Sequence, residues 1–169
     1  MRRFARAKRG AAAVEFALVA GPFFFLMFGV IETAVIYFAQ TSLDMSMSRA
    51  QREIRTNAAQ GKNITQSQFQ DLVCDGFTQF IAADCKDRLW VDVDSFKSLA
   101  GVTISPPMSG GKVNVANLSY SPGAPDDIVL IRFYYAWDIQ TPMFEKLLGN
   151  MADGRRLLIS QRLIRNEPS

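Results

Sequence analysis

One carboxylate, Glu15, lies inside a long apolar run near the N-terminus, where a charged side chain is energetically unfavourable. It follows Gly10 by five positions, and the residues before that glycine form a basic cluster of Arg2, Arg3, Arg6, Lys8 and Arg9. A charge at the centre of a bilayer costs about 2.5–3.5 kcal/mol on insertion scales, and less near the end of a span. We therefore expect Glu15 to have a function and a specific partner.

Side chains for acid–base, nucleophilic or metal chemistry are otherwise sparse. The chain contains no histidine, so neither a Ser-His-Asp nor a Cys-His arrangement is available. The sequence has no phosphate-binding glycine motif and no dinucleotide fingerprint. Four aspartates do not match a calcium-binding loop and are interpreted as a solvated face, with a cation site as the alternative: Asp84, Asp87, Asp92 and Asp94. The sequence thus predicts no enzyme, no cofactor, no metal site and no small-molecule substrate.

The apolar run determines the class of protein. Residues 16–31 contain no charged side chain, and residues 11–14 extend the run to about 20 residues, which suffices to cross a hydrocarbon core of roughly 30 Å. Its large side chains point in all directions around a helix, unlike the single apolar stripe of a soluble helix. Pro22 predicts a mild kink, and Glu32 is expected among the headgroups without a partner.

Charge predicts the orientation of this span. All five basic residues precede it with no acidic residue among them, so we expect the N-terminus in the cytoplasm and everything after about residue 40 outside the inner membrane. The whole chain has 19 basic and 16 acidic residues, and without residues 1–10 the balance becomes 14 against 16. The basic character therefore belongs to this leader and does not indicate a nucleic-acid partner.

The two cysteines, Cys74 and Cys85, fall on the side predicted to face the oxidising periplasm. A bridge between them would close a loop of about 12 residues and contribute up to roughly 3 kcal/mol of stability. Structural metal sites usually need four clustered ligands, for which the chain is poorly equipped. We expect a disulfide, with two free thiols as the alternative.

Three interpretations of the N-terminus are open. A cleaved secretory signal has the same basic start, but its apolar core is shorter and ends at a small-residue site, and no convincing A-x-A follows Ile31. An unprocessed anchor that carries a periplasmic binding module would keep residues 1–10 and would need no Glu15. The third interpretation is a cut after Gly10 that leaves the span on the mature protein.

The residues around Gly10 resemble a known family. Gly10 followed by AAAVE resembles the processing site of type IV prepilins, which has a glutamate at the fifth mature position. The longer string RGAAAVEFALVAGPFFFLMFGVIE resembles the TadE-like proteins of the tight-adherence (Flp) pilus system. In the related Flp pilins a tyrosine typically follows the glutamate, whereas Phe16 stands there in this chain. The resemblance covers residues 8–38, and LIRNEP at residues 163–168 also looks like the ending of many members.

The resemblance implies that a prepilin peptidase cuts between Gly10 and Ala11. Glu15 and Phe16 would then serve assembly and recognition, with Glu15 neutralising the new amine of Ala11 on a neighbouring subunit. The alternative is that Glu15 extends to the cytoplasmic headgroups. The implied function is that of a minor pilin or pseudopilin that primes or caps the fibre. The implied partners are the peptidase, other pilins and pseudopilins, the inner-membrane assembly platform and membrane lipid.

The helix is predicted to continue beyond the membrane. Residues 41–59 contain no glycine or proline, and apolar residues recur there at steps of three and four: Leu43, Met47, Ala50, Ile54 and Ala58. Gly61 is a natural end for this helix. A continuous helix over residues 11–59 would be roughly 72 Å long at about 1.5 Å per residue, with its first half in lipid and its second half supporting a globular head.

The remaining residues suffice for one small domain. A capping-box pattern, Thr65-x-x-Gln68, begins a short helix whose apolar face consists of Phe69, Leu72, Val73, Phe80 and Ile81. Thr141-Pro142 is predicted to cap a second helix that ends at Gly149. Strands are predicted from their apolar patterns over residues 89–94, 112–120, 128–139 and 156–165.

These elements predict an α+β, pilin-like fold. A long N-terminal transmembrane helix continues into a small periplasmic domain, whose mostly antiparallel sheet of three or four strands packs on the helix. The predicted organisation has four parts: a basic leader (1–10), the transmembrane helix (11–38), its amphipathic continuation (39–60) and the head domain (61–169).

Overall fold

A computed structural model describes residues 8–59, 64–77, 84–102, 104 and 108–168. A long helix, α1 (Lys8–Ala59), carries an α+β head domain on its C-terminal half, as the sequence predicts. The described head contains three short α-helices: α2 (Gln66–Gly76), α3 (Cys85–Arg88) and α4 (Glu145–Leu148). Its strands are β1 (Leu89–Phe96), β2 (Met108–Ser109), β3 (Lys112–Val113), β4 (Ile128–Trp137) and β5 (Arg156–Arg165).

Helix α1 has 52 residues and contains Pro22 without ending there. At about 1.5 Å per residue it is roughly 78 Å long. The predicted apolar stripe of its second half is confirmed for the four residues that are buried in the head: Leu43, Met47, Ala50 and Ile54. The side chain of Ala58 and the predicted helix end at Gly61 lie outside the described residues.

The main sheet is antiparallel in the order β1-β4-β5, with β4 at its centre. One face of β4 packs on the α1 stripe and on Phe69 and Val73 of α2, and this main core includes Val129, Ile131, Phe133, Tyr135 and Trp137. The opposite face of the sheet contributes Tyr134 and Ala136 to a smaller core. Because both of its faces are covered, β4 reads as an almost continuous apolar run.

Helix α2 begins with the predicted capping box. The Thr65 hydroxyl accepts a hydrogen bond from the Gln68 N–H at 3.3 Å, and the Gln68 side chain accepts one from the Thr65 N–H at 3.0 Å. These two bonds satisfy backbone donors that the first turn of a helix leaves free. Phe80 and Ile81, also predicted on this apolar face, lie outside the described residues.

The strand predicted over residues 112–120 is wrong beyond Val113. After the two-residue β3, the chain forms a short 3-10 helix, Val115–Asn117, and returns to the sheet as a single parallel bridge between Tyr120 and Val93. The Ser119 N–H donates to the buried carboxylate of Asp92 at 2.9 Å instead of to a strand. A side chain from β1 thus replaces the backbone partner that a longer strand would have needed.

The helix predicted from Thr141-Pro142 begins later, at Glu145, and its C-cap is Gly149, the residue at which it was predicted to end. Two features explain the delay. Met143 has a positive φ of 76°, which is incompatible with a continuous helix, and the Thr141 N–H and hydroxyl both donate to Glu32 of α1. Strand β4 also ends at Trp137, two residues before the predicted end, because the chain turns toward α1 there.

The interpretation of the four aspartates as a solvated face is wrong for Asp92. Its side chain is buried, and its carboxylate lies 2.7 Å from Arg132, which also contacts Asp94. Burial raises the pKa of Asp92, although the Ser119 N–H and the Arg132 guanidinium act in the opposite direction. Asp84 and Asp87 are exposed. In the described part of the chain, no three acidic, histidine or cysteine side chains are grouped so as to hold a metal ion.

Candidate functional site: the exposed half of the long helix and its junction with the head

The residues that the sequence singled out at the N-terminus lie in the first turns of α1. Gly10, Ala11, Glu15 and Phe16 are helical and all exposed. A Cβ atom built on Gly10 would meet nothing within 4 Å. The structure therefore places these four residues together at one end of the helix and leaves them open to lipid, to an enzyme or to another chain.

The first half of α1 is apolar and exposed around its whole circumference. None of its most apolar 18-residue stretch is buried inside the protein. The exposed large apolar side chains of this half are Val14, Phe16, Leu18, Val19, Phe23, Phe24, Phe25, Leu26, Phe28, Val30 and Ile31. A surface of this size is unfavourable in water, so it requires a cover of lipid or of other protein. Within the described part of the chain, α1 is the helix that is long and apolar enough to cross a membrane.

Glu32 marks the junction between the two halves, and the prediction that it lies among headgroups without a partner is wrong. It is only 4 % exposed. Its carboxylate accepts hydrogen bonds from the Gln140 N–H at 2.9 Å, the Thr141 N–H at 3.0 Å and the Thr141 hydroxyl at 2.6 Å. Bonds to a charged acceptor are the stronger kind, so Glu32 fixes the end of β4 to α1.

Below this junction, an aromatic contact joins the head to the apolar half of α1. The rings of Phe144 and Phe25 stack with their centroids 4.8 Å apart. Gly29 makes room for this contact, because a Cβ there would lie 3.0 Å from Cε1 of Phe144. An apolar groove of about 600 Å³ runs beside the rings, and its lining includes Phe25, Leu26, Gly29, Val30, Tyr37 and Phe144. Sequence reasoning did not identify this contact, although Gly29 in a run of large side chains was a signal.

The disulfide expected from the sequence is present. It joins Cys74 near the end of α2 to Cys85 at the start of α3, with the two Cα atoms 5.8 Å apart. Cys85 is buried against the main core. The bridge is far along the chain from Gly10 and Glu15, and it stabilises the head rather than the exposed half of α1.

Comparison with known proteins finds a family similarity in this same part of the chain, the exposed half of α1 and its junction with the head. The family model of TadE-like proteins matches residues 10–52, which contain the whole exposed half of α1, Glu32 and the first three residues of the buried stripe. The match covers 43 of 169 residues and leaves the sheet outside. No curated protein and no solved structure matches the chain. Over residues 10–52, the chain is therefore similar to the TadE-like proteins.

Proposed function

We propose that this protein is a minor pilin or pseudopilin with a structural role in assembly of a tight-adherence (Flp, type IVb-like) pilus. The observation that carries the proposal is the coincidence of three features in residues 10–52. These are the TadE-like match, the Gly10–Glu15 spacing and an apolar helix surface that the described head leaves largely exposed. A structural protein of a fibre needs such a surface, because its helix packs against those of neighbouring subunits.

In this proposal, the precursor crosses the inner membrane once. The basic residues before Gly10 hold the N-terminus in the cytoplasm, and the head lies in the periplasm. A prepilin peptidase cuts between Gly10 and Ala11. The exposure of both residues and the free space around Gly10 support access by a protease, whose carboxylates must approach the substrate backbone closely.

Glu15 then acts in assembly. Its exposed carboxylate pairs with the new N-terminal ammonium of Ala11 on a neighbouring subunit, while Phe16 packs beside it. An ion pair in low dielectric is favourable only in good geometry, so it favours the correct register between subunits. The partners are thus other pilins or pseudopilins, together with the peptidase and the inner-membrane platform. A head of this size suits a subunit that primes or caps the fibre.

The mature N-terminus tests the processing step. Intact mass is measured on protein from cells with and without a prepilin peptidase, for the parent chain, Gly10→Lys and Gly10→Ala. We expect a peptidase-dependent product that begins at Ala11, blocked in Gly10→Lys and retained at least in part in Gly10→Ala, since alanine is also small. A mass that includes residues 1–10 in both strains would instead establish an unprocessed anchor with a periplasmic binding module.

Assembly is tested separately with Glu15→Gln, which keeps the size of the side chain and removes its charge. We expect this variant to be processed normally but to be absent from the sheared fibre fraction. Glu15→Asp, which retains a carboxylate, is the matched control and should enter fibres better than Glu15→Gln. Equal incorporation of both variants would remove the ion pair from the mechanism.

A further inference from the structure

Residues 140–149, here called the 140–149 loop, form a second apolar element beside the exposed half of α1. Met143 and Leu147 of this loop are 74 % and 68 % exposed. Between them, Phe144 stacks on Phe25 and reaches Gly29. The loop therefore departs from the head where Gln140 and Thr141 contact Glu32 of α1. From there it runs along α1 toward the N-terminus of that helix.

The depth of Phe25 determines the depth of this loop. The basic cluster ends at Arg9, and about 20 residues of the predicted transmembrane helix (11–38) suffice to cross the hydrocarbon core, so the part of the helix that lies in hydrocarbon, counted from Ala11, ends close to residue 30. Phe25 lies about five residues inside that limit, or roughly 8 Å at 1.5 Å per residue. A ring stacked on Phe25 lies at the same depth. Elements that rest in the membrane interface bury their apolar side chains by about 5–10 Å, which matches this value.

The polar groups of the loop are arranged to suit such a position. Glu32 accepts both backbone N–H groups at the start of the loop, and the Leu148 carbonyl at its end accepts a hydrogen bond from Arg156 at 2.8 Å. The Glu145 carboxylate is directed back to the head, since a Cβ on Gly154 would lie 3.3 Å from it. Lys146 is exposed, and its long stem allows the ammonium to reach the headgroups.

The backbone at Met143 is held in an unfavourable conformation. Its φ of 76° is in the left-handed region, which is unfavourable for a residue other than glycine. The contacts at both sides of Met143, from Thr141 to Glu32 and from Phe144 to Phe25, hold it there. The strain thus presents an apolar side chain outward, where the head itself makes no use of it.

We propose that the 140–149 loop inserts into the membrane leaflet on the side of the head, where lipid acyl chains cover Met143 and Leu147 and occupy the groove beside Phe144. This inference rests on the proposed membrane span of α1, with which the apolar surface of the loop is continuous. It gives the head two attachments to the bilayer instead of one. The second attachment fixes the height and the tilt of the head above the membrane surface.

Depth measurement by spin labelling tests the insertion. The full-length protein is reconstituted at low density in phosphatidylethanolamine–phosphatidylglycerol vesicles, with one nitroxide attached to an introduced cysteine. The native cysteines are bridged and do not react. Labels at Met143→Cys and Leu147→Cys are compared with Leu18→Cys in the span and Val115→Cys, an exposed apolar position of the head. Near-UV circular dichroism confirms that each labelled head is folded.

For each label, the collision rate with oxygen is divided by the collision rate with a water-soluble nickel complex. We expect this ratio to be at least severalfold higher for the labels at 143 and 147 than for the label at 115. If 143 and 147 behave like 115 while 18 lies in hydrocarbon, the insertion is wrong and the span stands. If 18 is itself open to nickel, the span fails and the insertion fails with it. Labels at 143 and 147 that are shielded from both probes would mean a covering protein surface, and would also overturn the proposal.

Discussion

The two halves of α1 have the same secondary structure and both are rich in apolar residues, yet they have opposite surroundings. In residues 10–31 the large side chains are exposed on all sides, whereas from Ile36 to Ile54 a single stripe is buried in the head. The difference lies in pattern rather than in composition. Apolar residues all around a helix require an external cover, while a stripe that recurs every three or four residues predicts a partner within the fold.

Polar contacts follow the same division. In the second half, Gln40 donates to the Ile159 carbonyl at 3.0 Å, and the Ser160 hydroxyl of β5 donates to Asp44. Near its end, Arg55 lies 3.5 Å from Glu167. In the first half, Glu15 is exposed. The second half of α1 is therefore the central helix of the head, and the first half is available for lipid and for other subunits.

Truncating one leucine in each half gives the largest contrast. Leu43→Ala removes a fully buried side chain from the main core and should lower the free energy of unfolding of the head by about 2–5 kcal/mol. Leu18→Ala, at an exposed site, should change it by less than about 0.5 kcal/mol. Chemical denaturation of the detergent-solubilised protein, followed by near-UV circular dichroism, measures both. Equal losses would show that the two halves are not independent.

Removing the disulfide should affect the head alone. Replacing Cys74 and Cys85 together by serine releases a loop closed over a sequence separation of 11 residues, and should lower the stability of the head by up to about 3 kcal/mol. Membrane extraction at alkaline pH, which reports the anchoring of α1, should be unchanged. Loss of the protein from the membrane pellet would contradict the separate roles of the two halves of α1.

Replacing Glu32 should change the hydrogen exchange of two backbone amides at the junction between α1 and the head. Glu32→Ala leaves the Gln140 and Thr141 N–H groups without their acceptor, which we expect to cost about 1–3 kcal/mol locally. Hydrogen–deuterium exchange at these two amides should accelerate markedly, while that of the Phe133 amide in the centre of β4 changes little. Unchanged protection at 140 and 141 would mean that Glu32 does not hold the head to α1.

These junction contacts also show which features of the fold could not be predicted from the sequence. The long helix and the bounds of β5 follow from local periodicity, and the capping box at Thr65 follows from a local motif. These three predictions are confirmed. The partners of Glu32 and Asp92 were not, because they come from residues about 108 and 40 positions away, and no local pattern specifies such pairs. Gly10 and Glu15 stand out in the sequence because their spacing is itself the signal, and their roles in processing and assembly stay predictions.

The smallest expected effect is a change in the stability of the head with pH, and it comes from Asp127, which is not part of α1. The Lys97 ammonium, 2.7 Å away, and the Ala124 N–H lower the pKa of Asp127, so its ionised form favours the folded head. This stabilisation is present above the pKa of an unfolded aspartate, about 3.9, and is lost as the pH falls through the lower folded value. Asp92 acts oppositely: its pKa is raised by burial, so its protonation favours folding.

Thermal unfolding between pH 7 and pH 3 tests the contribution of the Asp127 carboxylate. Asp127→Asn should melt at a lower temperature than the parent at pH 7, and the difference should shrink as the pH approaches 3. The matched variant Asp126→Asn, at an exposed neighbouring carboxylate, should follow the parent curve closely. A constant difference between Asp127→Asn and the parent at all pH values would exclude the ionised carboxylate as the cause.

The most direct test of the division of α1 is the access of water to each half in intact membranes. Leu18→Cys and Met45→Cys place a thiol at positions that are 70 % and 53 % exposed, so the head shields neither of them. A membrane-impermeant maleimide should label Met45→Cys rapidly and should leave Leu18→Cys unlabelled until the membrane is dissolved in denaturing detergent. Equal labelling of both thiols before solubilisation would contradict the account, since the exposed half of α1 would then lie in water.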